Sequence, residues 1–334
     1  MKKIAIIGAG SWGTALAIAL TRSRSRHRLA LWAYEPEVCE ALCRSRTNEL
    51  FLPGFTVPAE VEVSNDFAAV LDGADFVLGV MPSAHARTTY QQMLPHLRPD
   101  MIFVSATKGL ELGSLLRMTE VITQVVGPKF LPQVAALSGP SFAREVARGD
   151  PTAVTIAASD AALCAAIQQE FSGPTFRLYT NDDVVGVELG GAVKNVIAIA
   201  AGICEGIGLG WNTTAALITR GLAEMTRLAV ALGGRASTLA GLSGLGDLVL
   251  TCTGALSRNR TLGVELGRGR RLEEILAATR MVAEGVGTTA ATRALARRCG
   301  VEMPITEQVH AVLYEGRSPH EAIRELMERR LTHE

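Results

Sequence analysis

Apolar positions in the first half of the chain alternate between two spacings. Short, nearly continuous apolar runs are typical of buried strands, and the stretches between them have the three-to-four-residue spacing of amphipathic helices. This alternation predicts a parallel-rich sheet with helices on both faces and an antiparallel or mixed part late, near Ala153–Tyr179. The predicted strands are Lys3–Ile7, Leu29–Trp32, Ala74–Met81, Met101–Ala106, Val134–Ser138, Ala153–Ala158 and Thr175–Tyr179, and the predicted helices include Ser11–Thr21, Glu37–Arg46 and Ser114–Val126.

The pattern changes at about Val184. Strand-like runs largely end there, and Ala, Leu and Arg recur at helical spacing. Pro304 opens one helix, and Ser318-Pro319 followed by Glu321 opens another. The sequence therefore predicts an α/β domain at residues 1–183 and an all-helical domain at residues 184–334. The predicted helices of the second domain are Thr213–Leu232, Leu272–Ala278, Thr288–Cys299, Ile305–Tyr314 and Pro319–Arg330.

The first predicted strand leads directly into a glycine pattern. Ile4–Ile7 is apolar throughout, as in a strand buried on both faces, and Gly8, Gly10 and Gly13 follow it. In this spacing the glycines allow a tight turn, close approach of the backbone to a pyrophosphate, and packing of the next helix on the strand. The helix that begins at Ser11 directs its free N–H groups at the anion. Strand, glycines and helix together predict a doubly wound, Rossmann-type domain that binds a dinucleotide.

Composition argues against several classes of function. Lys plus Arg and Asp plus Glu both number 33 in the 334 residues, so the net charge is zero and no overall field favours nucleic acid or a membrane surface. The most apolar late stretch, Val184–Ile203, contains Glu188, Lys194 and Asn195 and is not predicted to span a membrane. The six cysteines are scattered and lack the partners of a metal site. With no signal-peptide pattern, we expect a cytoplasmic protein with free thiols and no metal.

A dehydrogenase that acts on an alcohol needs a base for the hydroxyl proton. Among the histidines, only His85 follows the carboxyl end of a predicted strand, where ligands bind in such sheets. Lys194 is the stronger candidate, because a lysine in an otherwise apolar helical run is costly unless it faces a cleft or a partner. Its side chain leans over Gly190 and Gly191. In one interpretation these glycines leave room for a nicotinamide ring and substrate, and burial lowers the pKa of the amine beside them. In the other, they allow close helix packing, and the lysine extends to solvent.

Four other segments combine polar groups with turns or helix starts. Lys108 follows one predicted strand, and Ser141 follows another, where it can cap a helix or contact a ligand. Asp247 and Thr251 lie four residues apart and share a face if their segment is helical. At residues 257–260 a guanidinium and an amide at a helix start suit a phosphate. Each segment alone also fits capping, a turn or a surface salt bridge, but together they indicate a site.

Seven segments, in order, resemble one family. GAGSWGTALA, ATKGL, SGPSFA, VELGGAVKNVIAIAAG, GLSGLGDLVLTCT, SRNR and MVAEG closely resemble the bacterial type of NAD(P)-dependent glycerol-3-phosphate dehydrogenase, from residue 4 to about residue 315. The resemblance implies hydride exchange between NAD(P)H and dihydroxyacetone phosphate in a homodimer, giving sn-glycerol 3-phosphate for phospholipid synthesis. It also implies that Lys194 is the proton acceptor and that Asp247 assists it.

The resemblance and the glycine motif also imply which residues bind. The cofactor contacts are Gly8, Gly10, Ser11, Trp12, Gly13, Lys108, Ala143, Arg258, Val282 and Glu284. The substrate contacts are Lys108, Gly139, Ser141, Lys194, Asp247, Ser257, Arg258 and Asn259.

One position departs from the family. After the second strand the family often carries Arg or His for the adenosine 2′-phosphate, whereas this chain has Ala33-Tyr34-Glu35. Tyr34 or Glu35 favours a free ribose hydroxyl, because a carboxylate accepts from a hydroxyl and repels a phosphate. Arg44 or Arg46 on the next helix is the alternative phosphate ligand. The sequence therefore leaves NAD and NADP both open.

Two other functions are compatible with the predicted fold. A β-hydroxyacid dehydrogenase similarly pairs these two domains with a helical lysine, but it carries asparagine about four residues further on, where this chain has Ala198. Its carboxylate substrate would also have less use for Ser257–Asn259. A non-catalytic NAD(P)-sensing protein has no need for Lys194 and Asp247 together, so it would keep its function in Lys194→Ala.

Overall fold

The computed structural model describes residues 1–278 and 283–330, and it confirms the predicted fold class. We call the part up to Asn181 the sheet lobe. Its strands are β1 (Lys2–Ile7), β2 (His27–Trp32), β3 (Thr47–Asn48), β4 (Leu52–Thr56), β5 (Val61–Ser64), β6 (Phe76–Gly79), β7 (Ile102–Ser105), β8 (Gln133–Ser138), β9 (Thr152–Ala157) and β10 (Phe176–Asn181). Its helices are α1 (Ser11–Leu20), α2 (Pro36–Ser45), α3 (Phe67–Leu71), α4 (Ala86–Met93), α5 (Met118–Val126), α6 (Ala143–Arg148) and α7 (Ala161–Phe171), with 3-10 turns at Ser83–His85 and Leu94–His96.

Eight strands of the sheet lobe form one sheet in the order β10-β9-β8-β7-β6-β1-β2-β5. Neighbouring strands run parallel except for β8 and β9, so the sheet is mixed where β9 enters, at the start of the predicted region, while β9 and β10 are parallel to each other. Because β1, β2, β5, β6, β7 and β8 are parallel, the loops after β1, β6, β7 and β8 meet at the carboxyl edge of the sheet. Ligands bind at this edge in open α/β sheets.

The seven predicted strands are present with ends shifted by at most two residues, but three strands and the start of one helix differ from the prediction. The short edge strand β5 and the hairpin of β3 and β4 were missed. The predicted helix Ser114–Val126 was too long at its start, since α5 begins at Met118. The residues before it close a loop through a bridge between Leu110 and Arg117, and Leu115 has a left-handed φ of 64°, which interrupts a helix.

The chain from Val184 onward is helical, and we call it the helical lobe. Its helices are α8 (Val184–Gly206), α9 (Trp211–Ala231), α10 (Ala236–Leu239), α11 (Asp247–Thr253), α12 (Arg258–Gly267), α13 (Leu272–Ala277), α14 (Glu284–Arg298), α15 (Pro304–Tyr314) and α16 (Pro319–Met327). A π-helical turn, Leu242–Gly246, leads into α11.

Helix α8 is the centre of the helical lobe. Asp183 caps its start by accepting a hydrogen bond from Gly186 N at 2.8 Å. Of its 23 residues, 19 are buried. By length and composition α8 is apolar enough to cross a membrane, but 83% of its apolar window is buried within the protein. It is therefore a core helix.

Glycines set how closely α12 approaches α8. A Cβ atom at Gly202 would overlap the carbonyl oxygen of Arg260, and one at Gly263 would overlap that of Ile199. The two backbones therefore pack in direct contact, which is possible only with glycine at these positions. This packing places the start of α12 beside the middle of α8.

A buried carboxylate joins the two lobes. Glu188 of α8 accepts hydrogen bonds from Thr119 N at 2.9 Å and Thr119 Oγ1 at 2.5 Å, and it pairs with Arg117 at 2.7 Å. It therefore caps the start of α5, where free N–H groups and the helix dipole favour a negative charge. Burial raises the pKa of Glu188, and the charge of Arg117 opposes that change.

Candidate active site

The loop between β1 and α1 is built to hold an anion. Gly8 has a φ of +118°, and a Cβ atom at Gly13 would overlap the Gly8 carbonyl oxygen, so neither position accepts a side chain without strain. The space beside Gly10 is open, with no atom within 4 Å of a Cβ placed there. Gly10 also begins α1 without a side-chain cap, so the first N–H groups of the helix remain available. These features fit a dinucleotide pyrophosphate.

Trp12 and Ser11, the predicted cofactor contacts beside this loop, differ in their hydrogen bonds. Trp12 has a buried indole N–H that finds no partner among the described residues, so it is available to a ligand. The Ser11 hydroxyl donates to the carbonyl of Phe51 at 2.6 Å and is already engaged. Sequence reasoning missed Asn48, which is buried and donates to Ala9 O at 2.7 Å, holding the glycine turn from the β3–β4 hairpin.

The edge beyond β2 removes Arg46 from the candidate phosphate ligands and leaves Arg44 exposed. Arg46 donates to the carbonyls of Val57, Pro58 and Val61 and so serves as a structural clamp rather than a phosphate ligand. Arg44 pairs with Glu40 on the outer face of α2. Tyr34, in contrast, is 73% exposed at this edge and is open to a ligand.

A buried aspartate bridges two lysines between the lobes. Lys194 Nζ, on α8, lies 2.5 Å from Asp247 Oδ1, and Lys108 Nζ, in the loop after β7, lies 2.9 Å from Asp247 Oδ2. Asp247 is the first residue of α11, and its side chain is only 1% exposed. Lys194 also donates to Thr251 Oγ1 at 2.8 Å, one turn further along α11. The structure thus brings together three residues that are 53 to 139 positions apart.

Burial changes the acidity of the central amine. Lys194 is 6% exposed, and this burial lowers its pKa to about 8, against the charge of Asp247, which raises it. The nearby charge of Lys108 lowers it further. Such an amine exchanges protons close to neutral pH, as a general acid or base must. Two of its three N–H groups are bound by Asp247 and Thr251, so one remains for a substrate.

Lys108 also organises the loop after β8. Its ammonium donates to Gly139 O at 2.8 Å and contacts Ser141 Oγ at 3.2 Å. The Ser141 hydroxyl donates to Gly139 O at 2.9 Å, and α6 begins two residues later at Ala143. Gly139, Ser141 and Lys108 therefore lie together, next to Asp247.

The glycines beneath Lys194 do not leave a bare surface. A Cβ atom at Gly190 would overlap the carbonyl oxygen of Ser243, and one at Gly191 would overlap the hydroxyl of Ser138. The interpretation of these glycines as room for a ring and substrate was wrong. They allow α8 to pack against the π-helical turn and the end of β8, which helps bring Lys194 to Asp247.

The start of α12 has one free cation. Ser257 caps the helix by accepting from Arg260 N at 3.2 Å. The Asn259 amide donates to Asn195 Oδ1 at 2.9 Å and accepts from Gly285 N at 2.9 Å, so it fixes α12 to α8 and α14. Arg258 makes no hydrogen bond or ion pair to the described residues. It is therefore available for an anionic ligand.

A second carboxylate contact joins the lobes near Arg258. Glu284 accepts hydrogen bonds from Ser83 N at 3.1 Å and Ser83 Oγ at 2.7 Å, in the loop after β6. Burial raises the pKa of Glu284, while the Ser83 hydrogen bonds and the charge of Arg258 lower it. Sequence reasoning missed Ser83. The predicted contact Val282 lies outside the described residues.

Other candidates do not join this centre. His85 is exposed, and none of its hydrogen bonds reaches Lys194, Lys108 or Asp247 within the described ranges. Within the same ranges no group of His, Cys, Asp and Glu could hold a metal ion.

Comparisons with known proteins agree with this geometry. Family models for the N-terminus and the C-terminus of NAD-dependent glycerol-3-phosphate dehydrogenase match residues 3–164 and 183–324. The chain is 63% identical to the glycerol-3-phosphate dehydrogenase [NAD(P)+] of Koribacter versatilis, covering 100% of this chain and 99% of that one. It is 56% identical to the enzyme of that name from Acidobacterium capsulatum, over 98% of each chain. The crystal structure of glycerol-3-phosphate dehydrogenase from Coxiella burnetii is similar, with a TM-score of 0.92 and 42% identity over 98% of this chain and 99% of that one.

Proposed function

Because the chain belongs to the family of NAD-dependent glycerol-3-phosphate dehydrogenases, we propose that Lys194 exchanges the proton in the reaction of this family. The protein is an NAD(P)-dependent enzyme that interconverts dihydroxyacetone phosphate and sn-glycerol 3-phosphate, the precursor of phospholipids. One observation carries the assignment: a buried amine, with a pKa lowered to about 8, keeps one N–H free between the lobes.

The roles of the residues follow from their contacts. The bound nicotinamide supplies or removes the hydride. When the ketone is reduced, Lys194 donates a proton to the carbonyl oxygen, and when the alcohol is oxidised, it accepts the hydroxyl proton. Asp247 holds the ammonium in place, and Thr251 fixes its direction. Gly8, Gly10 and Gly13, with the start of α1, receive the pyrophosphate of the cofactor.

The substrate phosphate requires positive charge and donors. We assign them to the start of α12, where Arg258 is free and Ser257 and Asn259 hold the helix end in position. Lys108 adds a second ammonium on the opposite wall, beside Ser141 and Gly139. A guanidinium and an ammonium together suit a phosphorylated three-carbon substrate.

The edge beyond β2 supports a preference for NAD over NADP. A 2′-phosphate needs a cation, but Arg46 is engaged by backbone carbonyls, and the exposed Arg44 lies beside Glu40, whose carboxylate competes for it. Glu35 precedes α2 at this edge, and Asp66 follows β5, the parallel neighbour of β2. Carboxylates repel a phosphate and accept from a ribose hydroxyl.

Replacing Lys194 tests the central assignment. In Lys194→Ala we expect NADH binding to be retained, while kcat falls by about 10²–10⁴, the range for loss of a positioned acid or base. Lys194→Arg is the matched control, because it keeps the charge but cannot release a proton near neutral pH. We expect it to be equally slow. Turnover within tenfold of wild type in either variant would exclude Lys194 as the proton donor.

The wider organisation is also part of the proposal. We divide the chain into a dinucleotide-binding domain at residues 1–183 and a substrate-binding domain at residues 184–334. We expect a cytoplasmic homodimer without insertion into a membrane or binding to nucleic acid. The mass of the protein in solution tests the dimer.

A further inference from the structure

A cavity lined by several hydroxyl-bearing residues lies behind the π-helical turn that leads to Asp247. Its volume is about 390 Å³, and it lies between β9 and β10 on one side and α10 and the turn on the other. None of the substrate contacts assigned above lines it. The hydroxyl groups around it belong to Thr155, Tyr179, Thr180, Ser237, Thr238 and Ser243.

Three of these hydroxyl groups belong to buried residues and have no partner. Thr155 and Thr238 are 5% exposed and Ser243 is 1% exposed, yet none of their hydroxyls makes a hydrogen bond to another described residue. Buried polar groups in folded proteins are nearly always hydrogen-bonded, to protein, water or a ligand. The three hydroxyl oxygens are not among the fully buried side-chain atoms that lack a partner, so they are accessible from the cavity, where water or a ligand can bind them.

The charges around the cavity favour a neutral ligand. No Lys, Arg or His lines it. Arg235, beside Asn181, is already paired with Asp182 and donates to the Asn181 side-chain oxygen. Asp182 and the buried Asp183 follow Asn181 directly, so an anion such as the phosphorylated substrate would lie near two carboxylates without a free cation.

We propose that this cavity binds a small neutral polyol and that its occupancy alters turnover through the π-helical turn. Hydroxyls act as both donors and acceptors, so a wall of hydroxyls matches a ligand that carries several of them. The volume lies within the range of about 300–1,000 Å³ typical of small-molecule sites.

The coupling follows from the position of Ser243. Its residue lies in the turn Leu242–Gly246, and Asp247 follows immediately. Its carbonyl oxygen packs against Gly190, one turn before Lys194 on α8. A ligand that binds the Ser243 hydroxyl therefore acts on the segment that positions Asp247. π-Helical turns occur frequently at functional sites. This coupling rests on the proposed role of Asp247, whereas binding itself does not.

Saturation-transfer NMR with xylitol tests binding. The full chain is saturated with NADH and sn-glycerol 3-phosphate, a pair that cannot react, so that the active site stays occupied. We expect a xylitol signal with wild type and with Thr180→Ser, which keeps the hydroxyl. We expect its loss in Thr180→Trp and in Ser237→Trp, which fill the cavity from opposite walls. Thermal melting identifies which variants fold.

Each other binding result overturns the proposal. No signal with wild type would mean that only water occupies the cavity. A signal that is lost when sn-glycerol 3-phosphate is added would place xylitol in the active site. A signal that persists in both folded Trp variants would place it elsewhere on the surface.

Kinetics test the coupling separately. We expect xylitol to change kcat by at least about twofold, with KM for dihydroxyacetone phosphate unchanged, since a coupling between sites is a change in free energy. The same polyol should leave kcat of Thr180→Trp unchanged, which controls for viscosity. Binding without any change in kcat would overturn the coupling but not the site. Loss of activity in Lys194→Arg is independent of both results.

Discussion

Replacing Asp247 by asparagine removes the negative charge between two ammonium groups. Asp247 accepts from Lys194 at 2.5 Å and from Lys108 at 2.9 Å, and an amide offers a single oxygen in place of the two. An opposite charge at this distance typically changes a pKa by about one to three units. In Asp247→Asn the pKa of Lys194 should therefore fall from about 8 to about 7 or below.

The size of the effect on activity follows from the fraction of neutral amine. At pH 7 a pKa of about 8 leaves about a tenth of Lys194 neutral, whereas the ordinary lysine value of 10.5 would leave about 0.03%. In Asp247→Asn about half or more is neutral at pH 7. Oxidation needs the neutral amine and rises with pH, and reduction needs the ammonium and falls with pH. Both limbs should move to lower pH by about one unit or more.

The assay is NADH absorbance between pH 5.5 and 10, in both directions, with kcat/KM as the readout. For wild type we expect the reduction limb to fall, and the oxidation limb to rise, near pH 8. Thr251→Ser keeps the hydroxyl that accepts from Lys194 and should leave both limbs in place. If either kcat/KM limb of Asp247→Asn turned at the same pH as in wild type, or at a higher pH, this account of the lysine would be refuted.

Three other perturbations test separate parts of the structure. Arg258→Ala should raise KM for dihydroxyacetone phosphate far more than KM for dihydroxyacetone, and equal effects would remove Arg258 from the phosphate site. Tyr34→Arg should increase the affinity for NADP by about tenfold in a calorimetric titration while NAD affinity changes little, and no gain would mean that the 2′-hydroxyl does not lie at this edge. Burial raises the pKa of Glu224 to about 7, so the folded state binds its proton more tightly and wild-type stability falls as pH rises from about 4.5 to about 7. In Glu224→Gln this contribution, at most about 1.4 kcal/mol per pH unit, should be absent from urea unfolding curves, and an unchanged slope would contradict it.

Local chemistry made part of the structure predictable. The strand Ile4–Ile7 and the glycines after it were predictable, because one segment of ten residues contains every feature that a pyrophosphate-binding turn needs. Lys194 was identifiable because a lysine in an apolar helix needs a partner. The sequence also indicated Asp247 and Lys108, but not that one carboxylate serves both lysines. That arrangement depends on three loops and helices meeting, and no local pattern encodes it.

The wrong predictions concern residues whose role depends on parts of the fold that the local sequence does not show. Gly190 was misinterpreted because the groups that face it come from Ser243, more than 50 positions away. The start of α5 was misplaced because Leu115 is left-handed and Leu110 forms a bridge with Arg117, so the residues before Met118 form a loop. Arg46 was a candidate for a phosphate because the carbonyls that engage it belong to a loop whose path was not predicted. For Gly190 and Arg46, a backbone carbonyl from another part of the chain decides what the residue does.

Helix α8 is under selection both for the stability of the helical lobe and for catalysis. It fills the middle of the helical lobe with 19 buried residues, and the same helix carries the amine that handles the proton. A mutation there that loosens the fold also shifts the reactive group, so neutral drift has little freedom along this segment. Engineering for greater heat resistance should begin on exposed positions of the outer helices, where a gain in robustness does not reach the chemistry.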